Sequence, residues 1–221
     1  YLCSILKTSL ELALSGRLPL DLFAAPPICD AARNLAAIWG RNVSYPCQVL
    51  YLPQNPNSAG SVKYLTEEYA RVRREIEIVA GRRVTDPDLR RSIEVFNVNR
   101  KRIRQLYEIK RDRPWQLRVD EAYCLVAVGG MIPREEHNEI LRHALNLIRE
   151  RPARLQDKIR VAFVGGFCEQ PPLDLLRVIA DSCYVVDDDL MLGLRWILDD
   201  VPTDGAPLER LAHAYVENSG Y

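Results

Sequence analysis

The sequence has 221 residues, 48% hydrophobic and 27% charged, the make-up of a globular chain able to bury one or two cores. Thirty Lys and Arg balance thirty Asp and Glu, so no basic excess marks nucleic acid as a partner. No run approaches the roughly 18 apolar residues of a membrane span, and no basic, apolar, small-residue leader is visible.

In chain order, residues 4–16 read as a helix, with Ile5, Leu6, Ser9, Leu12 and Ala13 on one stripe and Gly16 at its end. Leu20–Ala25 is a short apolar run fit for a buried strand. Pro26-Pro27-Ile28-Cys29-Asp30 follows, then a helix over Ala31–Trp39 with Asp30 as its cap, and a strand over Tyr45–Leu52. Residues 53–60 are a loop by composition. A helix runs from Ser61 to about Val79 and stops at Gly81. Another opens at Asp86-Pro87, with Asp86 as its cap, and reaches Lys110. Helices over Arg118–Gly129 and Pro133–Glu150 complete a mostly helical block.

Strands return at Ile159–Val164 and Tyr184–Val186, separated by the Gly165-Gly166-Phe167-Cys168 turn and a helix over Pro172–Ala180. Helices at about 189–199 and 207–217 follow. The fold class is therefore α/β: two partial Rossmann-like parallel-sheet units, residues 1–56 and 151–221, joined by a helical block over 57–150. Open parallel sheets bind ligands beyond the carboxyl ends of their strands. Cys29, Cys168 and the Asp187-Asp188-Asp189 triplet all fall at such ends.

Six cysteines, Cys3, Cys29, Cys47, Cys124, Cys168 and Cys183, are scattered through a chain of cytosolic character, with no C-x-x-C pair. Free cysteines are commonly buried small hydrophobes. Cys29 follows a strand and two prolines. Cys3 opens a helix, where a thiolate is stabilised. Structural cysteine and metal ligand both remain open for this pair on position alone. The Asp187–Asp189 triplet reads either as a divalent-metal cluster or as the N-cap of the next helix. His137 and His143 lack the i, i+4 spacing of a zinc helix. From Glu67 to Arg118 fifteen Lys and Arg face nine Asp and Glu, either a solvated helix surface or a docking face for phosphates or an acidic partner. No G-x-x-x-x-G-K-[ST], G-x-S-x-G or G-x-G-x-x-G occurs.

Cys3-Ser4-Ile5-Leu6-Lys7-Thr8-Ser9-Leu10-Glu11 and Pro27-Ile28-Cys29-Asp30-Ala31-Ala32-Arg33-Asn34 closely resemble the benzoyl-CoA reductase / 2-hydroxyacyl-CoA dehydratase family. So do Gly165-Gly166-Phe167-Cys168-Glu169-Gln170-Pro171-Pro172 and Val185-Val186-Asp187-Asp188-Asp189, with Gly193 and Arg195. Within the family the chain looks most like a cluster-bearing benzoyl-CoA reductase subunit. The resemblance implies two Rossmann-like domains per subunit, a homologous second cluster-bearing subunit, and a 4Fe–4S cluster held by three cysteines. Cys3 and Cys29 match the first two ligands. The third is expected beyond Tyr221, with Cys168 as its rival, since both ends of the chain read as cut. It further implies benzoyl-CoA or another acyl-CoA as substrate, a cytoplasmic enzyme, and separate ATP-hydrolysing activator subunits.

Three functions follow as expectations. The leading one is low-potential electron transfer to the thioester-activated ring of an aryl-CoA. The second is 2-hydroxyacyl-CoA dehydration. The third is a non-catalytic scaffold or assembly paralogue of the same fold.

Overall fold

The computed structural model describes residues 3–152, 154–164, 171–189 and 199–218. The chain is α/β, with two small parallel sheets separated by helices, as the alternation of patterns predicts. It divides into two compact units, Tyr1–Arg90 with Thr203–Tyr221, and Arg91–Pro202.

In the first unit β1 (Phe23–Ala25) pairs in parallel with β2 (Cys47–Val49). The Leu50 amide extends the ladder by donating to the Ala25 carbonyl at 3.1 Å. Both strands are shorter than their apolar runs. Pro26 lacks an amide to continue β1, and Pro46 immediately precedes β2. The crossover is α2 (Asp30–Gly40), which buries Ala32, Leu35, Ala36 and Trp39, one face at helical spacing. Trp39 stacks on Phe23 of β1, with ring centroids 4.0 Å apart, and its indole N–H donates to the Tyr45 hydroxyl at 2.8 Å. One side chain thus ties strand, helix and the turn into β2. Helix α1 (Ser4–Leu14) packs on α2.

Helix α3 (Ser61–Ala80) ends at Gly81, whose φ of +64° is the left-handed geometry that favours glycine. Its partner is α8 (Pro207–Asn218): Leu65 on one and Ala212 on the other are both fully buried. Two predicted caps are displaced by one residue. Helix α2 is capped by Cys29 rather than Asp30, because the sulfur already faces the amide of Ala32. Helix α4 (Asp86–Asp112) is capped by Thr85 rather than Asp86. The Thr85 hydroxyl oxygen accepts from the Asp88 amide, and the Asp88 carboxylate accepts from the Thr85 amide at 2.9 Å, a reciprocal box.

The second unit holds most of α4, then α5 (Val119–Ala127), a 3-10 turn at Val128–Gly130, α6 (Arg134–Arg149), β3 (Ile159–Phe163), α7 (Leu173–Ser182) and β4 (Cys183–Asp188). Leu106 and Ile109 of α4 pack with Leu117, Ala122, Leu145 and Ile148 in one core; Val119, Leu176, Ala180 and Val185 form the other. Helix α5 contributes to both, so it links the helical bundle to the sheet. Its start is braced by Glu121, which accepts from the Arg118 amide at 3.1 Å and pairs bidentately with Arg151. Strands β3 and β4 are parallel, with one irregularity: Val161 faces Val185, but Ala162 faces Asp187. The extra residue, Val186, shifts the alternation, so the side chains of both Val185 and Asp188 are buried. The helix expected at about 189–199, the Gly165–Cys168 turn, Gly193 and Arg195 lie largely or wholly outside the described residues. No helix among the described residues is long and apolar enough to cross a membrane.

Candidate functional site

The carboxyl edge of the β1–β2 sheet is the first candidate. Chain leaving β1 passes through Pro26-Pro27 and reaches Cys29, the N-cap of α2. Its backbone is extended (φ −152°, ψ 171°), and the Ala32 amide donates to its sulfur at 3.4 Å. Cys3 holds the equivalent place on α1, with φ −66° and ψ 164°, and its side chain makes no capping bond. Both thiols are exposed and free of disulfides. A helix N-terminus presents unpaired amides and a partial positive charge. Sequence position alone left structural and ligand roles open for these cysteines. Their exposure removes the buried-hydrophobe explanation for both. Cys168 lies outside the described residues. Among the described residues, no three His, Cys, Asp or Glu side chains gather closely enough to hold a metal.

Chain leaving β2 at the same sheet edge forms the loop that leads into α3. Arg71 of α3 donates to the Gln48 side chain at 2.9 Å and to the Val49 carbonyl, and pairs with Glu68. Glu68 in turn accepts from the Tyr51 amide at 2.9 Å. The Arg71 hydrogen bond holds the Glu68 carboxyl below the usual carboxylate range, while Glu68 pushes Arg71 up. Beyond this clamp lies a cavity of about 470 Å³ between the loop and the start of α3.

At the carboxyl edge of the second unit's sheet the structure shows a group that the sequence pattern did not announce. Lys110 of α4 is fully buried and forms an ion pair with Asp188, whose side chain is 4% exposed. The Tyr107 hydroxyl donates to the other Asp188 oxygen at 2.9 Å, and the Lys110 ammonium lies 4.9 Å from the centre of the Tyr107 ring. Burial draws Lys110 down to about 8, against the pull of Asp187. Burial also pushes the Tyr107 phenol up, aided by Asp187 and Asp189. A signal was present: Lys110 follows Ile103 and Leu106 along the apolar stripe of α4. Asp188 belongs to this ion pair, and the helix that the triplet is read to cap lies largely outside the described residues. Several cations of the 67–118 block are likewise committed internally: Arg102 to the Asn138 carbonyl, Arg104 to Asp200, Arg90 to the Gly205 carbonyl.

His137, unremarkable in sequence, is fully buried. Asn99 donates to its Nδ1 at 2.9 Å and to the Asn138 side chain at 2.8 Å, which fixes the tautomer: Nε2–H donates to the Leu125 carbonyl at 2.7 Å. Burial lowers its pKa, and the Arg134 guanidinium adds to that, against the Leu125 bond. This network joins α4, α5 and α6 and has the satisfied partners of a structural core.

Residues 1–220 match the family described as 2-hydroxyglutaryl-CoA dehydratase, D-component. The chain belongs to this family. A benzoyl-CoA reductase subunit of Thauera aromatica is 37% identical over 226 residues, covering 99% of this chain and 58% of that protein. Lactoyl-CoA dehydratase subunit beta of Anaerotignum propionicum is 27% identical, covering 100% of this chain and 59% of that protein. (R)-2-hydroxyglutaryl-CoA dehydratase subunit beta of Acidaminococcus fermentans is 23% identical, covering 92% of this chain and 54% of that protein. The chain thus spans a little under three fifths of the length of these relatives. Family membership covers both the stretch carrying Cys3 and Cys29 and the stretch carrying Asp188.

Proposed function

We propose that this chain is part of a cluster-bearing subunit of an ATP-dependent aryl-CoA reductase, with Cys3 and Cys29 as two of the cluster's three cysteine ligands. The observation that carries the reading is the identity gradient: 37% to the benzoyl-CoA reductase subunit against 27% and 23% to the dehydratase subunits, each across nearly the whole chain. The donor set fits such a group in kind. Two accessible thiols, each at a helix N-terminus, are soft sulfur ligands of the kind that iron–sulfur clusters take.

When bound between Cys3, Cys29 and a third cysteine, such a cluster would supply a low-potential electron. The chain's own part is to set the environment. The Ala32 amide donates to the Cys29 sulfur, and hydrogen bonds to cluster sulfurs are a principal control on potential. The Pro26-Pro27 segment stiffens the approach to Cys29, and the Arg71–Glu68 clamp fixes the neighbouring loop at the same sheet edge. The third ligand belongs to the part of the protein beyond Tyr221 or to Cys168. A homologous cluster-bearing subunit and a separate ATP-hydrolysing activator complete the enzyme, which works in the cytoplasm.

The second reading is 2-hydroxyacyl-CoA dehydration, favoured by the family's own description. Ring reduction consumes electrons in proportion to product, whereas dehydration returns each electron it borrows. The complete polypeptide, prepared anaerobically with its partner and activator, separates the two when given benzoyl-CoA and lactoyl-CoA in turn. Reduction predicts reductant oxidised in fixed proportion to benzoyl-CoA lost. Turnover of lactoyl-CoA with only catalytic reductant, and none of benzoyl-CoA, overturns it.

A further inference from the structure

The open cavity that follows β2 is lined by no cysteine and by both apolar and polar side chains. Its walls come from Leu52, Pro53, Asn55, Ser58, Ser61 and Tyr64. The loop is braced by its own side chains. Ser61, 3% exposed, donates to the Asn55 carbonyl at 2.6 Å; Asn55 Oδ1 accepts from the Asn57 amide at 3.0 Å; the Ser58 hydroxyl accepts from the Gly60 amide at 3.4 Å. Together with the clamp on Tyr51 and Val49, these bonds form the walls without a ligand. Apolar surface is supplied by Leu52, Pro53 and the half-exposed Tyr64 ring. The polar groups left over are few: among the described residues, neither the Tyr64 hydroxyl nor the Gln54 amide has a partner within the chain. An apolar wall with a few free polar ends, about 470 Å³ in volume, is within the size range of small-molecule sites. It opens at the sheet edge from which the chain also runs to Cys29.

We infer that this cavity receives the acyl part of the thioester substrate, an aryl group lying against Leu52, Pro53 and the Tyr64 ring. The inference rests on the acyl-CoA reading above and adds to it that this chain binds the group to be reduced, rather than leaving it to the second subunit.

The test is equilibrium binding of benzoyl-CoA, lactoyl-CoA and free CoA to the complete two-subunit protein, without activator or reductant, so that no turnover occurs. Ser58→Trp fills the cavity and Tyr64→Ala removes one wall. Each is expected to weaken benzoyl-CoA about tenfold or more while leaving free CoA binding and iron content at wild-type values. The lactoyl-CoA arm is expected to change less, because a short acyl group touches less of the wall. Tyr64→Ala takes away a partly exposed ring without overfilling anything, so it serves if the tryptophan variant does not fold. Benzoyl-CoA binding unchanged in a folded variant overturns the subsite and leaves the aryl-CoA reading standing. A wild-type complex that contains iron but binds no acyl-CoA overturns both.

Discussion

Lys110→Met removes the cation from an ion pair whose two side chains are 0% and 4% exposed. The methionine keeps most of the aliphatic stem, so packing along α4 changes little and the electrostatic consequence dominates. Asp188 keeps the Tyr107 hydroxyl but loses the Lys110 ammonium. Breaking a buried pair from one side costs about 3–5 kcal/mol. Set against a total stability of roughly 5–15 kcal/mol, that loss is severe. Asp188→Asn strands the ammonium instead and should cost a similar amount. The double variant removes both charges together and is expected within about 1 kcal/mol of the wild type, because exchanging a whole buried pair for neutral groups is often near neutral. Urea unfolding at neutral pH, read as free energies around the cycle, gives the coupling directly. Single variants that each lose less than about 1 kcal/mol, or a cycle that is simply additive, would refute the assignment of this pair as a buried ionic tie.

Other expectations follow from the buried histidine and the caps. Asn99 donates to Nδ1 of His137, so the folded state prefers the neutral ring, and its pKa lies below 6.5. The unfolded state then binds more protons as pH falls through 6.5, so stability is lost toward acid; thermal unfolding of His137→Gln should show a shallower loss over that window. A Cβ on Gly129 would collide with the His137 ring and stand 3.0 Å from the Arg134 guanidinium, so Gly129→Ala should cost about 1–3 kcal/mol in the same assay. Thr85→Ala removes the hydroxyl of the box that opens α4, and about 1 kcal/mol of stability should go with it by urea titration.

Most elements were legible because periodicity and punctuation agreed. Trp39 and Leu35 share a helical face, Pro26 stops β1, and Gly81 ends α3 with the left-handed geometry its position required. What was not legible depended on partners distant in sequence. Lys110 lies 78 positions from Asp188, and only the extra residue at Val186 turns that aspartate inward, a register effect that no local pattern announces. His137 was set aside on metal spacing, and its role as a tautomer-locked core residue needed Asn99 from another helix. The caps shifted by one residue because a thiol and a hydroxyl beside each aspartate satisfied the helix amides first. Cys3 and Cys29 are proposed as ligands on family-like motifs. Their exposure and helix-capping geometry are what the fold added.

Cys3 and Cys29, two accessible thiols, are proposed here to bind iron. Iron and acid-labile sulfide, counted per complex on the anaerobically purified two-subunit protein, test it with Cys3→Ala and Cys29→Ala, neither of which removes a buried side chain. Each variant is expected to lose one cluster's worth of both elements while the partner's share remains. Iron and sulfide unchanged in both folded variants would contradict it.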